Sequence, residues 1–138
     1  MDHAAVMNSC DAKALRVGLA ALTDAERVVV LVSRANFEVE LGGLSAFFYN
    51  SAGDHAAETL PALEAVGAGQ AAAALRDAMA RFPSGAPPAD REARYAGWRQ
   101  VSESLGALDA EFYREQPDVF SRLCSFIEVH TSELRANG

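Results

Sequence analysis

Apolar residues in this chain recur every three or four positions between polar and charged residues, and they seldom alternate one by one. Such spacing places apolar side chains on one face of an α-helix, whereas alternation would indicate a strand. The frequent alanines also favour helix. The pattern therefore predicts an all-α protein, a single compact domain of about six helices. The predicted helical segments are 13–22, 24–39, 43–49, 54–66, 70–82, 91–105 and 117–134.

The clearest helix start is the capping box at Thr23 and Glu26. The Thr23 hydroxyl is expected to accept from the Glu26 amide, while the Glu26 carboxylate accepts from the Thr23 amide. The β-branched run Val28–Val32 is also compatible with a buried strand, but the cap and the helical recurrence favour helix. Its inner face is predicted to carry Val28, Leu31, Val32, Ala35 and Val39.

A glycine pair, three consecutive aromatics and a polar turn follow this helix. Gly42-Gly43 is predicted to end the helix, since glycine adopts left-handed backbone without a Cβ penalty. A short helix over Gly43–Tyr49 is expected next, followed by a turn at 50–54 whose side chains can cap amides. We expect this stretch to be a structural hub. Its motif residues are Gly42, Gly43, Phe47, Phe48, Tyr49, Asn50 and Gly53.

The proline-rich stretch 83–90 is the clearest loop of the chain and is expected to lie within one domain. We divide the chain into an N-terminal helical segment at 1–22, whose first ten residues are open to fraying, and a helical domain at 23–138. Residues 108–113 are predicted to form a tight turn or short helix, and Pro117 to lie in the first turn of the last helix.

Each of the other predicted helices has a proposed inner face. The expected inward residues are Leu15, Leu19 and Leu22; Ala57, Leu60, Leu63 and Val66; Ala72, Leu75, Met79 and Phe82; Tyr95, Trp98, Val101 and Leu105; and Val119, Phe120, Leu123, Phe126, Ile127 and His130.

Composition narrows the function classes. The formal net charge is −7, which disfavours direct nucleic-acid binding because phosphates need a basic face. The cysteines, Cys10 and Cys124, have neither zinc-site nor redox-motif spacing. No signal peptide and no membrane span are expected, and the longest aliphatic run is short. We predict a cytoplasmic protein, and the oligomeric state, a homodimer included, stays open.

No catalytic, cofactor-binding or metal-ligating pattern emerges, so we expect no enzyme, no cofactor and no metal. The three histidines have no histidine partner three or four residues away. Neither glycine pair carries the residues of a phosphate loop. The remaining enzyme hypothesis needs Tyr49, Asn50, Asp54 and His55 to converge in a pocket. Neighbours in one turn seldom do so, and capping is the simpler interpretation.

Acidic residues fall into two patches along the sequence. No Lys or Arg occurs between Arg34 and Arg76, and Arg114 is the only cation between Glu103 and Asp118. Such patches are compatible with an ordinary solvated face or with a docking face for a basic partner. The candidate surface residues are Glu38, Glu40, Asp54, Glu58, Glu64, Asp109, Glu111, Glu115 and Asp118.

The stretch from Glu38 to Asp54 resembles the signature of a bacterial domain-of-unknown-function family of the DMP type, which includes a DNA-mimic protein. The matching residues are Glu38, Val39, Gly42, Gly43, Phe47, Phe48, Tyr49, Asn50, Ser51, Gly53 and Asp54. Weaker similarity extends over about residues 22 to 130. The chain departs from the family pattern at Leu41, Leu44 and Ala46, where the family usually has Asn, Phe and Gln.

The resemblance implies an all-α domain and, for the characterised kind, acidic side chains that occupy the DNA-binding face of a transcription factor. We therefore expect a non-enzymatic DNA mimic whose partner is a basic DNA-binding protein. Salt would weaken such binding. The alternative is an adaptor or immunity-type protein that binds its partner through an apolar groove near Phe47–Tyr49, with little salt dependence.

Overall fold

The computed structural model describes residues 1–135 and confirms an all-α, single compact domain. Short 3₁₀ turns at Leu19–Ala21, Ser51–His55 and Ser102–Leu105 join some of the helices. The α-helices are α1 His3–Val17, α2 Asp24–Tyr49, α3 Ala56–Ala65, α4 Gly69–Ala80, α5 Arg91–Val101, α6 Gly106–Val129 and α7 Thr131–Arg135.

Helix α2 is the centre of the fold and contacts α1, α3, α5, α6 and α7. The predicted capping box is confirmed, with the Glu26 amide 3.2 Å from the Thr23 hydroxyl and the Thr23 amide 2.9 Å from the Glu26 carboxylate. The run Val28–Val32 is helical, so the strand alternative is wrong. Because neighbours surround α2, Val29 and Val30 are buried along with the predicted Leu31 and Val32.

Two glycines interrupt α2 where the sequence predicted a helix end. Gly43 has φ 71° and the preceding Gly42 has φ −157° and ψ 25°, so neither is helical. The chain then resumes a helix as far as Tyr49, which confirms the short segment that was expected. A positive φ strains a residue with a Cβ, which explains the glycine at position 43.

The N-terminal helix differs from the one predicted at 13–22. α1 begins at His3 under an Asp2 cap and ends at Val17, because Gly18 turns the backbone with φ 87° and donates to the Ala14 carbonyl at 2.8 Å. Leu15, expected inside, is 78% exposed. The helix that packs on α2 therefore lies N-terminal to the predicted one and buries Cys10 and Ala14 instead.

A buried ion pair ties α1 to the start of α2. Lys13 Nζ lies 3.0 Å from Glu26 Oε2, and the Glu26 side chain is only 2% exposed. Burial alone would raise the pKa of Glu26, but hydrogen bonds from Thr23 and Lys13 together hold it below its ordinary value. Beside them, burial and the Glu26 carboxylate raise the pKa of the Cys10 thiol to about 11. Cys10 is therefore a packed thiol rather than a nucleophile at neutral pH.

Helix α3 starts two residues later than predicted, and of its predicted inner residues Leu63 and Val66 are buried. The 3₁₀ turn Ser51–His55 precedes it, so the helical register begins at Ala56. Ala57 is exposed rather than buried, whereas Thr59 and Ala62 face the core. Pro61 lies inside α3 at an exposed position without ending it. Helix α4 agrees better with its prediction, since Ala72, Leu75 and Phe82 are buried.

The predicted helix at 91–105 begins at Arg91 as expected, but its C-terminal end needs correction. α5 ends at Val101 and passes into a 3₁₀ turn. On its inner face lie Arg94, Gly97 and Trp98, while Tyr95, which was predicted to be inside, is 42% exposed. Trp98 and Leu105 are buried as predicted, so the error is confined to Tyr95, in whose place the neighbouring Arg94, about 100° around the helix, is buried.

Of the tight turn or short helix predicted at 108–113, the helix is correct and the turn is wrong, and the predicted helix start at Pro117 is also wrong. α6 runs without interruption over Gly106–Val129, with Pro117 inside it. Pro117 is exposed, so the carbonyl that its missing N–H leaves unpaired can be hydrated. Phe120, expected in the core, is half exposed, whereas Leu123 and Ile127 are buried as predicted. His130 interrupts the helix before α7.

The loop 83–90 connects α4 to α5. The division into 1–22 and 23–138 stays a prediction, and its last residues, 136–138, lie outside the described part of the chain.

Candidate interaction surface

The polar turn after α2 wraps around the guanidinium of Arg94, which has no exposed surface. Arg94 Nε donates to the Phe48 carbonyl at 2.6 Å, and Nη2 donates to the Asn50 carbonyl at 3.2 Å. Nη2 also lies 2.7 Å from Asp54 Oδ1. We name residues 48–54 together with Arg94 the arginine turn.

The same guanidinium holds the proline-rich loop against this turn. Arg94 Nη1 donates to the carbonyls of Pro88 and Ala89, each at 3.1 Å. One side chain on α5 therefore gathers main-chain acceptors from two separate loops. The turn is thus organised from inside and leaves no donor of Arg94 free for a ligand.

Gly53 is required by the closeness of this packing. A Cβ at position 53 would lie 2.7 Å from the Phe47 carbonyl oxygen and 2.9 Å from Arg94 Nε. Both distances are shorter than real Cβ contacts. At the end of the signature motif, Gly53 therefore leaves room for Arg94, and Asp54 pairs with it.

Asp54 was predicted to belong to the acidic surface, but its charge is matched within the protein. Besides Arg94 at 2.7 Å, Arg91 lies 3.7 Å from its other oxygen. Its side chain is 38% exposed. Two guanidiniums beside one carboxylate leave little negative potential for a partner.

Asp109 also has a structural role. Its Oδ1 accepts from the Leu44 amide at 2.8 Å, at the start of the helical segment that follows the glycine break. A Cβ on Gly43 would lie 2.6 Å from both carboxylate oxygens. Asp109 thus caps the helix that resumes after the glycine break. Leu41 and Ala46, which stand where the family pattern has Asn and Gln, carry no polar side chain that could cap it.

Two acids on α3 have nearby basic groups. Glu64 Oε1 lies 2.5 Å from Arg76 Nη2, an exposed pair across α3 and α4. Glu58 Oε1 lies 3.5 Å from His55 Nδ1 within one helical turn. On α6, Asp118 pairs with Arg122 at 2.7 Å. All three of these acids are exposed, so they contribute to the surface, but with a local cation or imidazole beside them.

Besides Asp109, which accepts from the Leu44 amide, four predicted acids lack a cationic partner among residues 1–135. They are Glu38, Glu40, Glu111 and Glu115. Glu38 Oε2 accepts from Asn50 Nδ2 at 2.7 Å, which orients the carboxylate without neutralising it. We name these four residues the unpaired acids.

The unpaired acids lie at one level of the α2/α6 pair. Gln116 Nε2 donates to the Asn36 carbonyl at 2.7 Å, and Asp109 accepts from the Leu44 amide, so the two helices run antiparallel. This register places residues 38–40 alongside residues 111–115. Glu111 and Glu115 are one helical turn apart, about 6 Å along the axis. Gln116 and Asp109 face α2, whereas Glu111 and Glu115 lie about 100° or more away around α6, so the unpaired acids of the two helices share a level but not one face.

The motif aromatics divide between core and surface. Phe47 and Phe48 are buried, with Phe48 packed edge-on against Phe82 at 5.0 Å between ring centres. Tyr49 alone is exposed, in an edge-to-face pair with Tyr95. Neither Phe47 nor Phe48 can therefore line the apolar groove that was expected near Phe47–Tyr49.

The four residues of the enzyme hypothesis have four different neighbours. Tyr49 packs on Tyr95, Asn50 donates to Glu38, Asp54 pairs with Arg94, and His55 lies near Glu58. None of these contacts joins one of the four to another. Every fully buried side-chain N or O within the described residues also has a hydrogen-bond partner.

Sequence reasoning missed Arg94, the residue that organises the motif. A signal for it existed, since Arg94 precedes Trp98 by four positions and so shares its helix face. An arginine on an apolar stripe indicates either a snorkelling side chain or a buried ion pair. Choosing between them required the acceptors, which lie 44 and 46 residues earlier at Asn50 and Phe48.

No helix within residues 1–135 combines the length and the hydropathy that crossing a membrane requires.

Comparison with known proteins agrees with the resemblance of the central motif. No curated protein and no solved structure matches the chain significantly. The family model described as DMP19-like protein matches residues 20–130. The match includes the arginine turn, α6 and all four unpaired acids. Because it spans well over half of the sequence, the chain belongs to the DMP19-like protein family.

Proposed function

We propose that this protein is a non-enzymatic DNA mimic that occupies the DNA-binding face of a basic DNA-binding protein. Family membership supports the class of function, and the unpaired acids support its location. Carboxylates without an internal cation recruit the same Lys and Arg side chains that otherwise contact phosphates. The proposed partner contacts are thus limited to the unpaired acids of α2 and α6 rather than spread over all nine predicted acids.

The observation that carries this proposal is the contrast between paired and unpaired acids. Asp54 and Glu64 already have arginine partners, so a docking partner would have to displace these. Glu111 and Glu115 have none within the described residues, and α6 holds them at a fixed spacing. Arg114 lies between them in sequence and lowers the local charge, which makes a discrete set of contacts more suitable than a broad negative field.

The function assigned here needs no catalytic group. The separate neighbours of Tyr49, Asn50, Asp54 and His55 support a protein that acts by display of charge. We further propose that the protein acts in the cytoplasm, where DNA-binding proteins are available to it.

The test is a competition between this protein and DNA. DNA-binding proteins retained by the immobilised chain from its native cell extract would be purified, and a labelled duplex bound to each would be titrated with the chain. Glu111→Gln/Glu115→Gln should weaken displacement by about two- to thirtyfold, since each exposed pair is worth roughly 0.2–1 kcal/mol. Added salt should weaken the wild type more steeply than the variant.

The matched control is Glu92→Gln/Glu103→Gln, which removes the same two charges from exposed positions outside α2 and α6. It should displace the duplex nearly as well as the wild type. Equal loss from both double variants would show a non-specific charge effect. Failure to displace duplex from any retained protein would refute the mimicry.

A further inference from the structure

Large apolar side chains from three helices converge on one open groove. Met7 and Leu15 of α1, Phe37 of α2 and Phe120 of α6 line a cavity of about 560 Å³. Leu15, Phe37 and Phe120 are 78%, 58% and 50% exposed. Isolated exposed apolar residues are ordinary, but several that line one concavity mark an interaction site. We name this cavity the α1/α2/α6 groove.

The register of each helix keeps these side chains outside. Phe37 lies between the buried residues Ala35 and Val39, and Phe120 follows buried Val119. A rotation that buried either phenylalanine would expose those core residues. The apolar surface therefore cannot be removed by rearrangement within the fold, and only a bound partner would take it out of water.

The charges of the groove select a basic occupant. Asp11, Glu38 and Glu40 line it together with one cation, Arg34. Arg34 Nε lies 2.6 Å from Asp11 Oδ1, so that cation is already engaged. Three carboxylates and one guanidinium leave a net charge of −2 on the lining. Glu38 and Glu40 are then available to a Lys or Arg beside an apolar anchor.

The walls of the groove also select a helical occupant. α1, α2 and α6 satisfy their backbone N–H and C=O groups internally, apart from the glycine break, the carbonyl left unpaired by Pro117 and the helix ends. An extended peptide would find no strand edge to pair with. A helix carries its own backbone hydrogen bonds and can present apolar side chains on one face.

We propose that the α1/α2/α6 groove docks an amphipathic helix of a partner protein, with apolar anchors over Phe37 and Phe120 and Lys or Arg beside Glu38 and Glu40. This contact goes beyond charge mimicry, because its affinity comes largely from apolar burial. It also differs from a groove at Phe47–Tyr49, whose phenylalanines are buried.

The experiment uses designed peptides as probes with the full-length protein. A labelled helical peptide of Leu and Lys, with every Leu on one face, is titrated by fluorescence anisotropy. A second peptide replaces each Lys with Glu, and a third scrambles the order so that no apolar face forms. The Leu/Lys peptide should bind at least about tenfold more tightly than either of the others.

Variants of the protein locate the contact. Phe37→Ser and Phe120→Ser should each weaken Leu/Lys peptide binding by about fivefold or more, as expected for anchor residues of an interface. Both side chains are at least half exposed, so the fold should survive, which far-UV circular dichroism checks. Val129→Ser is the control, because Val129 is 79% exposed and does not line the groove. It should leave the affinity unchanged.

Two results would overturn the proposal. Equal binding of the Leu/Glu or scrambled peptide, or unchanged binding by both serine variants, would exclude a basic helix in this groove. Self-association in sedimentation experiments that either serine variant abolishes would show that a second copy of the chain covers it instead. The peptide assay contains no DNA-binding protein, so failure of the DNA competition alone would refute only the mimicry.

Discussion

The arginine turn and the acidic side of α6 are both rich in polar residues, yet they direct their charges in opposite ways. In the arginine turn, Asp54 lies 2.7 Å from a fully buried guanidinium. On α6, Glu111 and Glu115 have no cationic partner within the described part of the chain. The first region uses charge to hold loops together, and the second leaves charge available at the surface.

This difference shows that a count of acids along the sequence is a poor measure of displayed charge. Asp54 belongs to the longest stretch without Lys or Arg, but the fold brings two arginines to it from α5. Conversely, Arg114 lies in the sequence stretch that retains unpaired acids. Stability measurements should therefore respond to the arginine turn, and binding measurements should respond to α6.

The largest effect on stability is expected from Arg94→Ala. It leaves the Phe48 and Asn50 carbonyls and Asp54 without their shared donor, and it empties a buried site. Removing one partner from such a buried network should lower the free energy of unfolding by about 3–5 kcal/mol, measured by urea denaturation.

The control for Arg94 is Arg91→Ala, which removes a 55% exposed side chain 3.7 Å from the same carboxylate. This change should lower the free energy of unfolding by less than about 1 kcal/mol. Similar losses from both variants would mean that the turn depends on charge near Asp54 and not on the buried hydrogen bonds.

Glu26→Gln tests a second carboxylate that is paired within the protein. It should lower the free energy of unfolding by about 1.5–3 kcal/mol at neutral pH. The folded pKa of Glu26 lies below its ordinary value of 4.5. Its ionised form therefore stabilises the fold fully above that value, and this stabilisation disappears as pH falls through the lower, folded pKa.

Urea denaturation across this acidic range should show the stability difference between wild type and Glu26→Gln shrinking as pH falls. Thr23→Ala is the comparison, since it removes the hydroxyl cap, worth about 1 kcal/mol, but keeps the Lys13–Glu26 ion pair. Thr23→Ala should retain the acid-dependent loss. A pH-independent difference for Glu26→Gln would contradict the assignment.

Gly53→Ala should destabilise the protein by about 1–3 kcal/mol, because the new methyl group overlaps two main-chain oxygens and Arg94. Thermal unfolding followed by circular dichroism would measure the loss. Gly106→Ala is the matched change, as a Cβ there meets no atom within 4 Å. It should be neutral or stabilising by up to about 1 kcal/mol, and an equal loss at both sites would point to backbone effects alone.

The smallest effects on stability are expected on α6. Asp118→Asn breaks an exposed pair with Arg122 one turn away and should cost about 0.3–0.5 kcal/mol in urea denaturation. Glu111→Gln/Glu115→Gln breaks no ion pair among residues 1–135 and should lower the free energy of unfolding by no more than that. If either change destabilised the protein as much as Gly53→Ala, these acids would have a structural role, and the contrast between the two regions would fail.

Much of the local structure could be predicted from sequence. The capping box at Thr23 and Glu26 and the break at Gly42-Gly43 depend on residues within a few positions of one another, and both are confirmed. The family resemblance of the motif is confirmed as well. Such features follow from backbone geometry and short-range hydrogen bonds, which need no information about the rest of the fold.

Predictions that depended on distant neighbours were less successful. Pro117 is compatible with a helix start and with an exposed position inside a helix, and only the packing of α6 along α2 and α4 distinguishes these. Tyr95 and Arg94 are adjacent on α5, and Arg94 is the buried one because carbonyl acceptors such as that of Phe48 lie in the turn. The binding role of the nine predicted acids stays a prediction.

By itself, the sequence determined the helical class, the strongest helix cap, the glycine break after Leu41 and the family. These depend on helix propensity, apolar spacing and local conformation. Only the tertiary structure decided that the signature motif folds around Arg94 and that Glu38, Glu40, Glu111 and Glu115 keep no cationic partner within residues 1–135. Electrostatic pairing is a matter of distance in space, and the guanidinium that pairs with Asp54 belongs to a residue 40 positions later.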